Sequence, residues 1–222
     1  MDIIDFGISS YREEWKRQKE IQGSIINKKK AKEFVREEYV LIGEHFPVYT
    51  LGFHGDASNM LLNEEELSRR GCELVRIERG GDITYHGPGQ LIMYPIIDLV
   101  KHSLGVKQYI GLLEETVISL LKEYGIKGER IEGATGVWIG KDTPEERKIC
   151  AIGVKISRGV TMHGLALNVN TDLEAFSAIN PCGFVNKGVA SMQKELGESV
   201  DMTEVKSRII RIFLGLVLSL EK

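Results

Sequence analysis

The apolar positions of this chain follow two periods, one helical and one alternating. Over residues 106–124, Ile110, Leu113, Val117, Leu120, Leu121 and Tyr124 recur at helical spacing. Val205, Ile209, Ile212, Phe213, Leu216 and Leu220 repeat the pattern near the C-terminal end, behind a capping-box-like Asp201 and Glu204. Each stripe predicts a helix with one face packed on a sheet. A third helix is predicted over residues 11–27, opened by Ser10 and Glu13 and carrying Trp15 with Ile21 or Ile25 on one side. Residues 63–70 predict a short helix stopped by Gly71.

The remaining apolar positions read as strands. Residues 39–51 are rich in Val, Ile, Leu, Tyr and Thr and are broken by Pro47, which predicts two short strands joined by a bend. Residues 72–79 set Leu74, Val75 and Ile77 among charges, another strand. Residues 91–99 are almost wholly apolar and predict a buried strand in which Pro95 calls for an edge position or a bulge. Further strands are expected around residues 136–140, 148–157 and 160–170, the last two joined as a hairpin at Arg158-Gly159, with a loop over residues 141–147. With no repeat, low-complexity tract or linker, residues 1–222 read as one domain. The fold class is α/β with α+β character, a mixed sheet packed with helices rather than a doubly wound parallel sheet.

Composition narrows the function classes. A chain of 222 residues that is 42% hydrophobic can bury a full core. No apolar run approaches the roughly 20 residues needed to cross a bilayer, and no basic-then-apolar signal opens the chain, so a soluble cytoplasmic protein without membrane contact is expected. A net charge of −3 gives no electrostatic case for nucleic acid. Cys72, Cys150 and Cys182 are an odd set without Cys-x-x-Cys spacing, so neither a disulfide framework, a metal site nor a cofactor is indicated. Arg12, Lys16, Arg17, Lys19, Lys28, Lys29, Lys30, Lys32 and Arg36 form a basic run that could meet an acidic carrier protein, although such runs are usually solvated surface.

Two segments carry candidate chemistry. The first is Arg79-Gly80-Gly81-Asp82-Ile83-Thr84-Tyr85-His86-Gly87-Pro88-Gly89-Gln90, where a cation, a ring and an imidazole sit among glycines that let backbone approach a ligand closely. It follows a predicted strand, as ligand loops commonly do. The second is Ile179-Asn180-Pro181-Cys182-Gly183, where proline stiffens the approach to one cysteine and glycine clears space around the sulfur. By residue type alone Cys182 would be a small buried hydrophobe and Lys148 a solvated charge.

These segments, with Arg147-Lys148-Ile149-Cys150-Ala151-Ile152-Gly153 and Met162-His163-Gly164-Leu165-Ala166-Leu167-Asn168-Val169, occur in the order found in the lipoyl(octanoyl) transferase family, which the chain resembles. Tyr11-Arg12-Glu13-Glu14-Trp15 and Glu44-His45-Phe46-Pro47-Val48-Tyr49-Thr50 extend the likeness over most of its length. The resemblance implies a biotin and lipoate ligase-like architecture. It implies transfer of an octanoyl group from octanoyl-acyl carrier protein to the lysine of lipoyl domains of 2-oxo acid dehydrogenases and of glycine cleavage H protein. It assigns Cys182 as the acylated nucleophile and Lys148 as its activator.

It carries acyl contacts onto Arg79, Gly80, Gly81, Asp82, Ile83, Thr84, Tyr85 and His86, then Ala151, Ile152 and Gly153, then Gly164, Leu165 and Ala166. Small residues in the last two segments would leave room for an acyl chain, and their N–H groups could face the thioester oxygen. A free thiol, with pKa about 8.5, needs a nearby cation to become a thiolate at neutral pH. Lys155 is a rival to Lys148, His86 and His163 are runners-up as base, and Arg79 either contacts carrier phosphopantetheine or braces its loop. Alternatives are an ATP-dependent lipoate or biotin ligase, a thiol hydrolase and a noncatalytic lipoyl-domain-binding module. A monomer is the default expectation.

Overall fold

The computed structural model describes residues 1–180 and 188–220. In chain order the N-terminal half holds β1 (Asp2–Ser9), α1 (Tyr11–Lys30), β2 (Tyr39–His45), β3 (Val48–Leu51), α2 (Glu64–Arg69), β4 (Leu74–Arg76), β5 (Ile83–His86), β6 (Gln90–Ile96) and α3 (Val106–Glu123). Then follow β7 (Glu129–Ile131), β8 (Ala134–Ile139), β9 (Arg147–Ser157), β10 (Val160–Asn168), β11 (Gly188–Val189), α4 (Met192–Leu196) and α5 (Met202–Ser219). The large sheet runs β1-β2-β6-β10-β9-β8-β7, and β11 pairs with β9. A second sheet, β4-β3-β5, has three strands. Parallel pairs (β1 with β2, β3 with β4, β11 with β9) stand among antiparallel ones, which gives the expected mixed α/β class.

The two faces of the large sheet bury different cores. Leu113, Val117 and Leu121 of α3 pack with Val205, Ile209 and Phe213 of α5 against Met93, Ile149, Leu165 and Leu167. Ile25 of α1 packs against Leu41, Ile92, Tyr94, Val160 and Ala166 on the other face. Leu165 and Leu167 thus face one way and Ala166 the other, as the two-residue period of a strand requires.

Helix α1 starts at its predicted cap, since Glu13 N–H donates to Ser10 Oγ, but of its predicted apolar side only Ile25 is fully buried. Tyr11, Glu14, Gln18, Gln22 and Ile25 are buried, while Trp15 and Ile21 are only partly so. The glutamines work as polar clasps on β10: Gln22 Nε2 donates to Val160 O at 2.9 Å, and Gln18 Oε1 accepts from His163 N–H at 2.8 Å. Six cations of the basic run (Arg12, Lys16, Arg17, Lys19, Lys28 and Lys29) already face carboxylates of this chain. That leaves the run largely charge-compensated as a docking surface.

Pro95 is not at an edge. It lies within β6, between β2 and β10, where Val40 pairs with it. The β6–β10 ladder covers Gln90 to Met93, then lapses, and a bridge between Asp98 and Val160 resumes it in the same register. His163 stands opposite Pro95 in that register and takes φ +62°. The missing N–H of proline is therefore accommodated by a local break on β10, and Thr161 Oγ1 bridges it by donating to Pro95 O at 2.7 Å and accepting from Ile97 N–H at 2.9 Å. The predicted hairpin is present, with Arg158 and Gly159 both at positive φ.

Candidate active site

A cavity of about 150 Å³ lies between the two sheets, over β9 and β10. Comparable apolar cavities take a benzene-sized guest. Of the residues predicted from sequence, Arg79, Gly81, Asp82, Ile83, Thr84, His86, Lys148, Ala151, Ile152, Gly153, Gly164, Leu165 and Ala166 line it. Gly80 and Tyr85 do not. Tyr85 turns into the core of the small sheet, 5.2 Å from the Tyr49 ring and 5.7 Å from Phe176, because alternation along β5 sends it away from Thr84 and His86. Gly80 N–H donates to Val154 O and so ties its loop to β9.

Cys182 lies outside the described residues. The chain on both sides of it does not: Phe176 and Ile179 before it, and Gly188 and Val189 after it, line the same cavity. Val189 pairs with Lys148, and Ala190 N–H donates to Lys148 O at 2.9 Å. Lys148 Nζ sits 4.6 Å from the centre of the Trp138 ring. Those two residues are cross-strand partners on β9 and β8, past an irregularity in register at Val137, which sets their side chains on one face. Trp138 is itself buried and anchored, with Nε1–H donating to Ala134 O at 2.8 Å. Lys155, the rival lysine, faces Glu78 at 3.7 Å and is not in the wall.

His86 has no ring nitrogen to spare. Gln90 Nε2 donates to both Tyr85 O (3.1 Å) and Asn168 Oδ1 (2.9 Å), so Gln90 Oε1 must accept from His86 Nδ1–H at 2.8 Å. His86 Nε2 then accepts from Thr50 Oγ1–H at 3.3 Å, and Thr50 Oγ1 in turn accepts from Arg79 Nη2 at 2.8 Å. Asn168 continues the chain by donating to Ala190 O at 3.0 Å. Arg79 is thus linked through Thr50, His86, Gln90 and Asn168 to the strand beside Lys148. Burial, with neighbouring His45 and Arg79, holds the His86 imidazole neutral, well below its ordinary 6.5. This is a bracing histidine, not a free base.

Arg79 braces as well: Nη2 donates to Thr50 O at 2.8 Å and Nη1 to Gly80 O at 3.1 Å. No carboxylate among the described residues pairs with it, and burial pulls its guanidinium pKa down. Asp82 holds the outer loop, accepting from Asp56 N–H and Asn59 Nδ2. Burial pushes the Tyr11 and Tyr94 phenols up and pulls His45 down to about 4 and His163 to about 3.

The glycines of these segments also serve packing. A Cβ on Gly164 would meet Met93 O at 2.2 Å, and one on Gly153 would meet Gly80 O at 2.9 Å. Each glycine lets backbone pack on backbone. Leu165 and Ala166 pair with both β6 and β9, which commits their N–H groups to the ladder and removes them as oxyanion donors. Strand β9 differs, because β8 pairs with it only as far as Cys150 and alternate N–H groups of Ala151 to Gly153 face that open edge. Sequence reasoning did not single out Tyr11, Gln90, Tyr94, Trp138 or Asn168 as wall residues. Gln90 closes the glycine-rich motif and was the nearest to a visible signal.

This mixed sheet with helices packed on its faces is the architecture shared with the lipoate and biotin protein ligases. A crystal structure of lipoate-protein ligase A bound with ATP superposes with TM-score 0.70 at 18% identity, covering 98% of this chain and 86% of that one. Biotin protein ligase from Aquifex aeolicus superposes with TM-score 0.55 at 12% identity, covering 100% and 72%. These likenesses show the fold. Residues 10–214 match the lipoyl protein ligase A/B catalytic domain, and the octanoyltransferase of Bacteroides fragilis is 54% identical over 97% of both chains. That of Flavobacterium johnsoniae is 50% identical over 95% of this chain and 94% of its own. The chain belongs to the octanoyltransferase family.

Proposed function

We propose that the octanoyl group moves in two thiol-mediated steps, from octanoyl-acyl carrier protein to Cys182 and from Cys182 to a lysine of lipoyl domains or glycine cleavage H protein. The Cys182 thiolate attacks the carrier thioester, a new C–S bond forms, and the carrier's thiolate leaves and takes a proton from Lys148. The acceptor lysine, as its neutral amine, then attacks the acyl-cysteine. The amide forms, the Cys182 thiolate is expelled and the amine proton passes to Lys148.

The observation that carries this reading is that residues flanking Cys182 on both sides line one apolar cavity together with Lys148. The other two thiols fit the role poorly. Cys150 is fully buried, and desolvation pushes its thiol far up. Cys72 is also raised by burial and belongs to the small-sheet core. Among the described residues no helix is long and apolar enough to cross a membrane, and we place the reaction in the cytoplasm, carried out by a monomer.

The direct test mixes the protein with octanoyl-acyl carrier protein and an unmodified lipoyl domain, without ATP, and reads acceptor mass. An octanoyl mass shift on the lipoyl lysine, lost in Cys182→Ser, is the expected result. A shift that requires free octanoate and ATP would replace this reading with a ligase.

A further inference from the structure

The cavity has two chemically different ends. Lys148 marks one. From Lys148, β9 runs to Gly153, where an added Cβ would come within 3.0 Å of Arg79 Cδ. Ile152, Leu165 and Ala166 give the wall between them its apolar character. A saturated acyl chain whose carbonyl sits by Lys148 therefore runs along an apolar wall toward Arg79 and His163.

That far end is not apolar. Arg79 and His163 line it at 8% and 2% exposure, and Arg79 Nε and His163 Nε2 are buried without a protein partner among the described residues. The Tyr11 hydroxyl lies 3.5 Å from His163 Nδ1, and we assign the phenol as donor of this contact, which places the ring proton of His163 on Nε2. Both orphan atoms are then N–H donors. A terminal methyl cannot accept from either, whereas water can. Regular alternation would have turned His163 with Leu165 and Leu167 toward the α3–α5 core, but its positive φ opposite Pro95 turns it instead to Tyr11 and Tyr94. A non-glycine residue in that region is strained, and here the strain places a polar group at the end of an otherwise apolar slot.

We propose that Arg79 and His163 form a hydrated polar end wall that limits the length of the acyl chain the enzyme accepts. Chains longer than octanoyl would have to displace water and bury methylenes against two unpaired N–H donors. This rests on the octanoyl-transfer reading above.

The test is a chain-length profile: kcat/KM for octanoyl- and decanoyl-acyl carrier protein, with wild type, His163→Leu, Arg79→Met and His163→Gln. The wild type must first transfer octanoyl; if it does not, the transfer reading fails and not the end wall. The decanoyl-to-octanoyl ratio should rise roughly tenfold in His163→Leu, the worth of two methylenes newly able to bury, and should stay near wild type in His163→Gln. Being internal to each variant, the ratio does not move when a variant merely loses active protein. A ratio unchanged in folded His163→Leu, or in Arg79→Met should the former not fold, would overturn the proposal.

Discussion

Lys148 rests over an indole, its Nζ 4.6 Å from the centre of the Trp138 ring, and that contact orients its ammonium. A cation over an aromatic face is worth about 0.5–2 kcal/mol, and Trp138→Leu should lower kcat/KM by about 2- to 30-fold through a less ordered lysine. A rate equal to wild type would remove Trp138 from the account. Lys148→Ala should shift the reactive pH of Cys182 upward by about 1–3 units, read by iodoacetamide labelling mapped to that residue. His86→Gln should leave that pH where it is, because both ring nitrogens of His86 are already committed to Gln90 and Thr50. Lys148 and His86 were visible in the sequence as chemistry-bearing types in suggestive company. Their partners were not, since nothing local links Trp138 to Lys148, or Gln90 to Asn168, without the pairing of β8, β9, β10 and β6.

At the scale of elements, the polar chain from Arg79 to Ala190 fastens four strands, β3, β5, β6 and β10, together. Gln90→Leu would leave the Tyr85 carbonyl, the His86 Nδ1–H and the Asn168 Oδ1 without their partner. Each buried loss costs about 1–3 kcal/mol, so a fall of at least about 3 kcal/mol in urea-denaturation stability is expected. A loss under half of that would mean water replaces the amide. Most elements were readable: the α3 and α5 stripes, the β9–β10 hairpin and the two strands on either side of Pro47 all follow from period and turn chemistry. Strand β1 was not predicted although Ile4, Phe6 and Ile8 alternate, because it joins the sheet only by pairing in parallel with β2, a non-local event. The buried face of α1 was only partly anticipated because Gln18 and Gln22 read as surface until β10 supplies their partners. Pro95 was placed at an edge or bulge because a proline's cost to a ladder is visible in sequence, while the break on the partner strand that absorbs it is not.

For the molecule as a whole, the consequence is a fold with neutral imidazoles at its centre. His45, His86 and His163 are buried, and each is held below its ordinary 6.5, His45 at about 4. Below pH 6.5 the unfolded chain takes up protons that the folded one refuses. Their stabilising contribution is therefore complete above that pH and is lost as pH falls from 6.5 toward about 4, where His45 protonates in the fold. For His45 alone the loss is about 3 kcal/mol. Urea midpoints should fall steeply across that window, and His45→Gln should reduce the slope by about one proton. A slope unaltered by that substitution would show that His45 is solvated or already charged.

The central claim is that Cys182 carries the acyl group within reach of Lys148, and it is tested most directly by intact-protein and peptide mass spectrometry after mixing the protein with octanoyl-acyl carrier protein alone. The account predicts one octanoyl adduct, mapped to Cys182 and discharged when a lipoyl domain is added. No adduct, or an adduct on Cys72 or Cys150, in a protein that still octanoylates the acceptor would contradict it.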